Sequence, residues 1–228
     1  MTQPAGRPSA GSGSRRDRAS AFVFFLVALA VYLATGAPCA WWGDGLELAS
    51  AAWTFGIPHP TGYPLYTTLG HVFMRLAPDP GQGLAWMSAL AMAAALALLI
   101  PVLADAARAG QAEDEATPVG SPLTSALIVA GLLALSRTAW EHATFAEVYP
   151  LTFLLAVLVL FVAQRAQNGG ASRATVVAIG LLLGLLGLNH YSGVAALPLA
   201  LVGLTGRRRP AEWRSVASAL VIAGLIVL

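Results

Sequence analysis

The stretch "LAWMSALAMAAALALLIPVLA" occupies residues 84–104 and contains no charged side chain. A helix needs about 20 predominantly apolar residues to cross the hydrocarbon core of a bilayer, so this stretch is predicted to span a membrane. The whole chain has the same character: 57% of its residues are hydrophobic and 11% are charged, whereas a soluble domain is about 25% charged. The sequence therefore indicates an all-α, polytopic membrane protein.

Further apolar stretches divide the chain into about six to seven predicted transmembrane helices. Six of them cover residues 21–36, 84–104, 123–139, 151–164, 174–188 and 193–205. A seventh begins near Val216 and the sequence stops inside it, so residues 21–228 are expected to be a transmembrane domain truncated in its seventh helix. Residues 1–20 are rich in Gly, Ser, Pro and Arg without apolar periodicity, which predicts a disordered cytoplasmic tail.

The basic residues predict the orientation of these helices, and all 13 of them are arginine. With a cytoplasmic N-terminus, only Arg75 and Arg137 fall on the outer side. The inner side then holds Arg7, Arg15, Arg16, Arg18, Arg108, Arg165, Arg173, Arg207, Arg208, Arg209 and Arg214. Because arginine concentrates in cytoplasmic loops, this orientation is favoured. The net charge of +2 is then a signature of topology, and no nucleic-acid partner is predicted.

The remaining ionisable residues gather on the opposite, outer side. All four histidines and most isolated carboxylates of the sequence belong to this group, namely Asp44, Glu47, His59, His71, Asp79, Glu141, His142, Glu147 and His190. Charged groups at a membrane are costly and usually mark a pathway or a reaction site. The outer face is therefore predicted to carry the function.

The first outer loop, "WWGDGLELASAAWTFGIPHPTGYPLY" at residues 41–66, is the densest part of that group. The spacing of Asp44 and Glu47 places both carboxylates on one face of a short helix. Three prolines between residues 58 and 64 prevent this helix from continuing. A second short helix with an apolar stripe is predicted from Pro64 onward. We therefore expect two interfacial helices joined by a rigid, aromatic corner.

Three segments of the chain together resemble a known family. "GDGLELASAAWTFGIPHPTGYPLYTTLGHVF", "ATFAEVYPL" and "LGLLGLNHYSG" are similar to a bacterial membrane family catalogued as a domain of unknown function, whose eukaryotic relatives are transmembrane protein O-mannosyltransferases. That family is placed among the GT-C glycosyltransferases, which use lipid-phosphate sugars at the outer or lumenal face. The resemblance covers residues 41–204 and matches the N-terminal part of a usual member. The family pattern Gly-Asp-Ser-Gly-Glu keeps its Asp44 and Glu47 here but lacks the serine.

The resemblance implies a GT-C-like membrane glycosyltransferase in the bacterial inner membrane, with its active face periplasmic or extracellular. It would transfer a sugar, with mannose favoured, from a polyprenyl-phosphate donor to a protein or glycan hydroxyl. Such a transfer needs a base for the acceptor proton and groups that hold the departing phosphate. Asp44 is the predicted base. Glu47 is predicted to orient the acceptor or to help hold a divalent metal ion, and whether a metal is required stays open.

The residues predicted to bind substrate are His59, Tyr63, Arg137, Glu147, Asn189 and His190. The two histidines and the arginine are candidates for the phosphate, Asn189 is a hydrogen-bond donor, and Glu147 is a second acidic candidate. Simpler roles stay open for several of them. Asp44 could cap the helix that follows it, and the "HPTGYP" corner could be purely structural.

Two other classes of function are compatible with a polytopic membrane protein. A non-catalytic assembly subunit would tolerate the loss of Asp44 except for an effect on stability. A secondary transporter would place ionisable residues near the middle of the membrane and would contain interrupted helices in related repeats. The predicted spans are nearly free of charge, which counts against a transporter.

Overall fold

The computed structural model describes residues 11–39, 43–60, 62–113, 120–169, 172–205 and 222. In this part of the chain the secondary structure is helical and contains no strand, which confirms the all-α prediction. The helices are α1 (Gly11–Thr35), α2 (Gly45–Thr54), α3 (Pro64–Leu76), α4 (Pro80–Glu113), α5 (Pro122–Ala134), α6 (Arg137–Thr144), α7 (Tyr149–Gly169), α8 (Arg173–Asn189) and α9 (Leu197–Thr205). A 3₁₀ turn at Tyr191–Ala196 joins the last two.

The long helix α4 forms the centre of the fold and packs against α1, α3, α5, α6 and α7. Its 34 residues are about 50 Å long at 1.5 Å per residue, more than the hydrocarbon thickness of a bilayer. Leu84, Leu96 and Ile100 on this helix are fully buried. Helix α3 approaches the start of α4 so closely that a Cβ atom at Gly83 would lie 2.5 Å from the carbonyl oxygen of Phe73.

In the part of the chain that the structure describes, fewer helices are long and apolar enough to cross a membrane than the six to seven predicted for the whole sequence. Among the described residues, three helical segments are long and apolar enough: Arg15–Thr35, Pro80–Gln111 and Tyr149–Gln167. A fourth candidate is the pair α5 and α6, which together pass but are bent by 64°. Helix α8, with 17 residues, contains the predicted span 174–188. The predicted span 193–205 is divided between the 3₁₀ turn and helix α9, which has only nine residues. The predicted seventh span near Val216 lies outside the described residues.

The predicted span at residues 123–139 is two helices rather than one. Helix α5 ends at Ala134 and α6 begins at Arg137, because Ser136 adopts an extended conformation and its Oγ accepts a hydrogen bond from the backbone N–H of Ala139 at 3.3 Å. A serine in this N-cap position satisfies a backbone donor that the first turn leaves unpaired. The hydrophobic pattern of residues 123–139 alone predicts one continuous helix.

The predicted tail at residues 1–20 also differs from the structure. Helix α1 starts at Gly11, so the second half of the predicted disordered segment is helical, and residues 1–10 lie outside the described residues. Asp17 explains this extension. Its side chain is buried and accepts a hydrogen bond from Arg108 on α4 at 2.6 Å, which attaches the first turns of α1 to the helix core.

Two groups of polar residues lie at opposite ends of α4. Near its start, Ser88 is hydrogen-bonded to Glu147, and near its end Arg108 is paired with Asp17. Twenty residues of helix separate Ser88 from Arg108, which corresponds to about 30 Å. This separation agrees with the sequence-based prediction that Glu147 and Arg108 lie on opposite sides of the membrane. Which end faces the cytoplasm stays a prediction.

Candidate functional site

The candidate site begins at the turn into α2, the first of the two short helices predicted for this loop. Gly43 has a positive φ of 56°, which glycine adopts without strain. Asp44 occupies the N-cap position of α2, but its side chain makes no capping hydrogen bond and is 65% exposed. Asp44 thus occupies the helix-capping position that the sequence allowed for it, but its carboxylate does not cap the helix.

Glu47 lies one turn further along α2 and binds the rigid corner that follows. Its Oε1 accepts a hydrogen bond from the backbone N–H of His59 at 2.6 Å, and its Oε2 accepts one from His59 Nδ1 at 2.9 Å. The hydrogen bond that the His59 ring donates to Glu47 raises the pKa of His59 and lowers the pKa of Glu47. Both shifts favour a carboxylate beside a protonated imidazole.

Tyr63 connects this corner to the segment that follows α8. Its backbone is left-handed, with φ 44°, its side chain is buried, and its hydroxyl lies 2.7 Å from His59 Nε2. The Tyr63 ring stacks on the ring of His190 at a centroid distance of 5.4 Å. The second carboxylate is also close, since Asp44 Oδ2 lies 3.9 Å from His59 Nε2. Residues more than a hundred positions apart in sequence thus meet at one place.

His190 and Asn189, predicted as neighbouring substrate ligands, have different environments. The Nδ1 atom of His190 accepts a hydrogen bond from the backbone N–H of Ser192 at 3.1 Å, so in the neutral ring the proton resides on Nε2. Asn189 is completely buried and its amide donates to the carbonyl oxygen of Val148 and to Thr152 Oγ1. Asn189 therefore clamps the segment around Val148 to the end of α8, and its contact with substrate stays a prediction.

Glu147 is the most enclosed carboxylate of the cluster. Its backbone N–H donates to Ser88 Oγ at 3.2 Å, and the Ser88 hydroxyl donates to the carbonyl oxygen of Glu147 at 3.3 Å. A Cβ atom at Gly43 would lie 4.0 Å from Glu147 Oε1, so this carboxylate lies beside the turn that precedes Asp44. Burial raises the pKa of Glu147 to about 7, and the charge of Asp44 adds to the rise.

Arg137 does not join this cluster through any contact recorded among the described residues. Its Nε donates to Glu141 Oε1 on its own helix at 2.7 Å, and its side chain is 88% exposed. The structure therefore brings together Asp44, Glu47, His59, Tyr63, Glu147 and His190 of the predicted site residues.

Three aromatic residues of the cluster escaped the sequence-based prediction of the site: His142, Tyr149 and Tyr191. The His142 ring lies 5.0 Å from that of Tyr149, and Tyr149 and Tyr191 both contact the ring of His190. Two of them, Tyr149 and Tyr191, lie within the family-like segments "EVYP" and "NHYSG", and His142 belongs to the outer group of ionisable residues. These positions are the available sequence signals.

A metal ion could be bound at this site only by replacing existing hydrogen bonds. Asp44, Glu47 and His59 each offer a ligand atom, and these atoms lie within 4.8 Å of one another. However, both ring nitrogens of His59 already contact Glu47 and Tyr63, and metal ligation needs a deprotonated imidazole. The donor set therefore fits a protonated histidine better than a metal ion.

Comparisons with known proteins cover most of this chain. The family model described as the protein O-mannosyl-transferase TMEM260 N-terminal domain matches residues 44–213, which include the whole cluster. A mouse protein named protein O-mannosyl-transferase TMEM260 is 30% identical over 182 residues, which are 77% of this chain and 24% of the mouse protein. A Dictyostelium discoideum protein of the same name is 38% identical over 64 residues, 28% of this chain and 8% of that protein. The chain thus spans about a quarter of the mouse relative's length. No solved structure matches.

Proposed function

Because the chain belongs to the family of the protein O-mannosyl-transferase TMEM260 N-terminal domain, we propose that it transfers mannose from a polyprenyl-phosphate donor to a protein or glycan hydroxyl. The observation that carries this proposal is the meeting of Asp44, Glu47, His59, Glu147 and His190 at one end of α4. Three distant segments contribute these side chains, as a site for an acid–base reaction requires.

Asp44 is the group that receives the proton of the acceptor hydroxyl. Its carboxylate is exposed and makes no helix-capping bond, so it is accessible to a substrate hydroxyl. The acceptor oxygen would form a bond to C1 of the sugar as the bond between C1 and the phosphate oxygen breaks. Polyprenyl phosphate then leaves with the electron pair of that bond, and the proton stays on Asp44. A positioned base contributes about 100- to 10,000-fold to such reactions.

The departing phosphate is held by the imidazoles of His59 and His190, and the Nε2–H of His59 donates to it in place of the Tyr63 hydroxyl. The neighbouring Glu47 favours the protonated form of His59, which provides positive charge close to Asp44. His190 offers its Nε2–H, because its Nδ1 is already bonded to the backbone of Ser192. Donors fixed before the reaction stabilise developing charge at little reorganisation cost. This assignment replaces Arg137, which pairs with Glu141 on its own helix and makes no contact with the cluster among the described residues.

A lipid-linked donor at the outer face is part of this proposal. It is supported by helices long enough to cross a bilayer, two of which, α4 and α7, contribute Ser88 and Tyr149 beside the cluster. Phe55 and Ile57 follow directly after α2 and are exposed, so they can contact an isoprenoid chain or the bilayer surface. The GT-C architecture and the periplasmic or extracellular location of the reaction belong to the same proposal.

The test is the transfer of labelled mannose from polyprenyl-phosphate mannose in membranes that contain the protein or its Asp44→Asn variant at equal abundance. We expect a loss of about 100-fold or more for this variant. Asp79→Asn is the matched control, since Asp79 is a carboxylate at a helix start that accepts a hydrogen bond from the backbone of Gln82 and lies outside the cluster. Equal transfer by Asp44→Asn and the wild type would remove Asp44 as the base, and no transfer by the wild type would contradict the function itself.

A further inference from the structure

Two tyrosines flank the buried histidine of the cluster. The ring of Tyr149, the first residue of α7, lies 5.3 Å from that of His190, and the ring of Tyr191 stacks on His190 at 4.6 Å with an interplanar angle of 28°. The His190 ring also stacks with the ring of Tyr63, at a centroid distance of 5.4 Å. Four rings from three segments thus form one aromatic group, here called the aromatic platform: Tyr63, Tyr149, His190 and Tyr191.

The members of the aromatic platform differ in their exposure. Tyr63 and His190 are buried, whereas Tyr149 and Tyr191 are 44% and 66% exposed. The inner rings are also fixed by hydrogen bonds, Tyr63 to His59 and His190 to Ser192. The outer rings are therefore supported by a rigid base and present ring surface to the surroundings.

The exposed rings lie next to the groups proposed for the chemistry. The Tyr63 hydroxyl lies 2.7 Å from His59 Nε2. The His59 ring in turn donates to Glu47 and lies 3.9 Å from Asp44 Oδ2, so the aromatic platform adjoins both carboxylates. An exposed aromatic surface beside carboxylates and an imidazole is the combination that recognises a ligand with both apolar and polar faces.

A hexose ring has these two faces. One side of the ring presents C–H groups, which pack against the electron-rich face of an aromatic ring, while the hydroxyls at the edge are available to carboxylates and imidazoles. We propose that Tyr149 and Tyr191 form the subsite that holds the sugar ring of the donor, with its C–H face against their rings. This inference rests on the proposed function and identifies where that reaction binds its hexose.

An aromatic belt at the membrane surface would also contain exposed tyrosines. The two tyrosines differ from such anchors in their surroundings, since both rings pack on a buried histidine that stacks with Tyr63, the partner of His59. Trp53 is the appropriate comparison within the same chain. It is 49% exposed and its ring contacts His71 and Arg75 rather than the aromatic platform.

The experiment is saturation-transfer NMR with a short-chain polyprenyl-phosphate mannose as the probe and the protein in lipid nanodiscs. Variants are Tyr149→Leu and Tyr191→Leu, with Tyr149→Phe and Tyr191→Phe to keep the rings, and Trp53→Leu as the matched control. We expect transfer to the C–H protons of the mannose ring in the wild type, the Phe variants and Trp53→Leu. In each Leu variant we expect weaker transfer to those protons and an increase of about 3- to 10-fold in the apparent Kd.

Each outcome bears on the inference separately from the proposed function. Circular dichroism confirms that the variants keep their helices, and Tyr191→Trp, which retains an aromatic ring at the most exposed position, should bind at least as well as the wild type. Equal binding by the Leu variants would overturn the aromatic subsite and leave the transferase intact. Absence of any contact between the wild type and the probe would overturn both.

Discussion

Glu47 accepts two hydrogen bonds from His59, one from its backbone N–H at 2.6 Å and one from its ring Nδ1 at 2.9 Å. Twelve residues of chain separate the two, and prolines on both sides of His59 fix the backbone between them. The two bonds therefore attach the corner to α2 and orient the imidazole toward Asp44. They also couple the protonation of the histidine to the charge of the glutamate.

The first prediction is that Glu47→Gln lowers the pKa of His59. Glu47 raises that pKa through a hydrogen bond and its negative charge, so the protonated imidazole of the wild type persists to higher pH than in the variant. If protonated His59 holds the phosphate, transfer falls as pH rises through this pKa, and in Glu47→Gln the fall moves to lower pH. NMR titration of the histidine ring measures the shift directly. Glu141→Gln, which removes a carboxylate paired with Arg137, should leave it unchanged, and an unaltered His59 in Glu47→Gln would contradict the coupling.

The second prediction concerns Glu147 and the pH dependence of stability. Its pKa is raised from 4.5 to about 7 in the folded protein, so the folded state binds this proton more tightly than the unfolded chain does. The stability that the Glu147 carboxyl contributes is therefore fully present below its ordinary pKa of 4.5. It is lost as the pH rises from there toward and through about 7. We expect the wild-type Tm to fall over this window and the Tm of Glu147→Gln to fall less. The measurement is thermal unfolding in nanodiscs at a series of pH values.

Asp44→Asn provides the control for this second prediction. Because the charge of Asp44 contributes less than burial to the raised pKa of Glu147, its removal should reduce the pH dependence only in part. A wild type and a Glu147→Gln variant with parallel Tm profiles would show that the carboxyl is ionised as in water.

Local parts of the site could be predicted from the sequence, and the long-range contacts could not. The three-residue step between Asp44 and Glu47 and the prolines after residue 57 act through neighbouring backbone, so they predict α2, α3 and the corner. The bond of Ser88 to Glu147 and the clamp of Asn189 on Val148 depend on how helices pack, which no local pattern encodes. The same limit explains the split between α5 and α6, since a serine N-cap interrupts a stretch that is apolar in composition.

The third prediction is that a chelator does not abolish sugar transfer. Asp44, Glu47 and His59 lie close enough to share a metal ion. However, the hydrogen bond that His59 donates to Glu47 raises the pKa of His59 and so opposes the deprotonation that ligation requires. The measurement is transfer in membranes with and without EDTA. A loss that added Mn²⁺ or Mg²⁺ restores would contradict the assignment of His59 as a protonated phosphate ligand and would favour a metal at the same three residues.

The fourth prediction is that Asn189→Ala destabilises the protein and displaces the Glu147 segment. Asn189 is completely buried and donates to the carbonyl oxygen of Val148 and to Thr152 Oγ1. Its loss removes both bonds and leaves a cavity at a completely buried position, at a cost of about 2–5 kcal/mol. Thr152→Val keeps the side-chain volume and the Asn189 bond to Val148 but removes the Thr152 hydroxyl from Asn189 and from Val148, so its cost should be smaller, about 1–2 kcal/mol. Thermal unfolding measures both, and transfer at a temperature where both variants are folded should fall more in Asn189→Ala. Equal Tm values for the two variants would show that the bond to Val148 does not hold the segment.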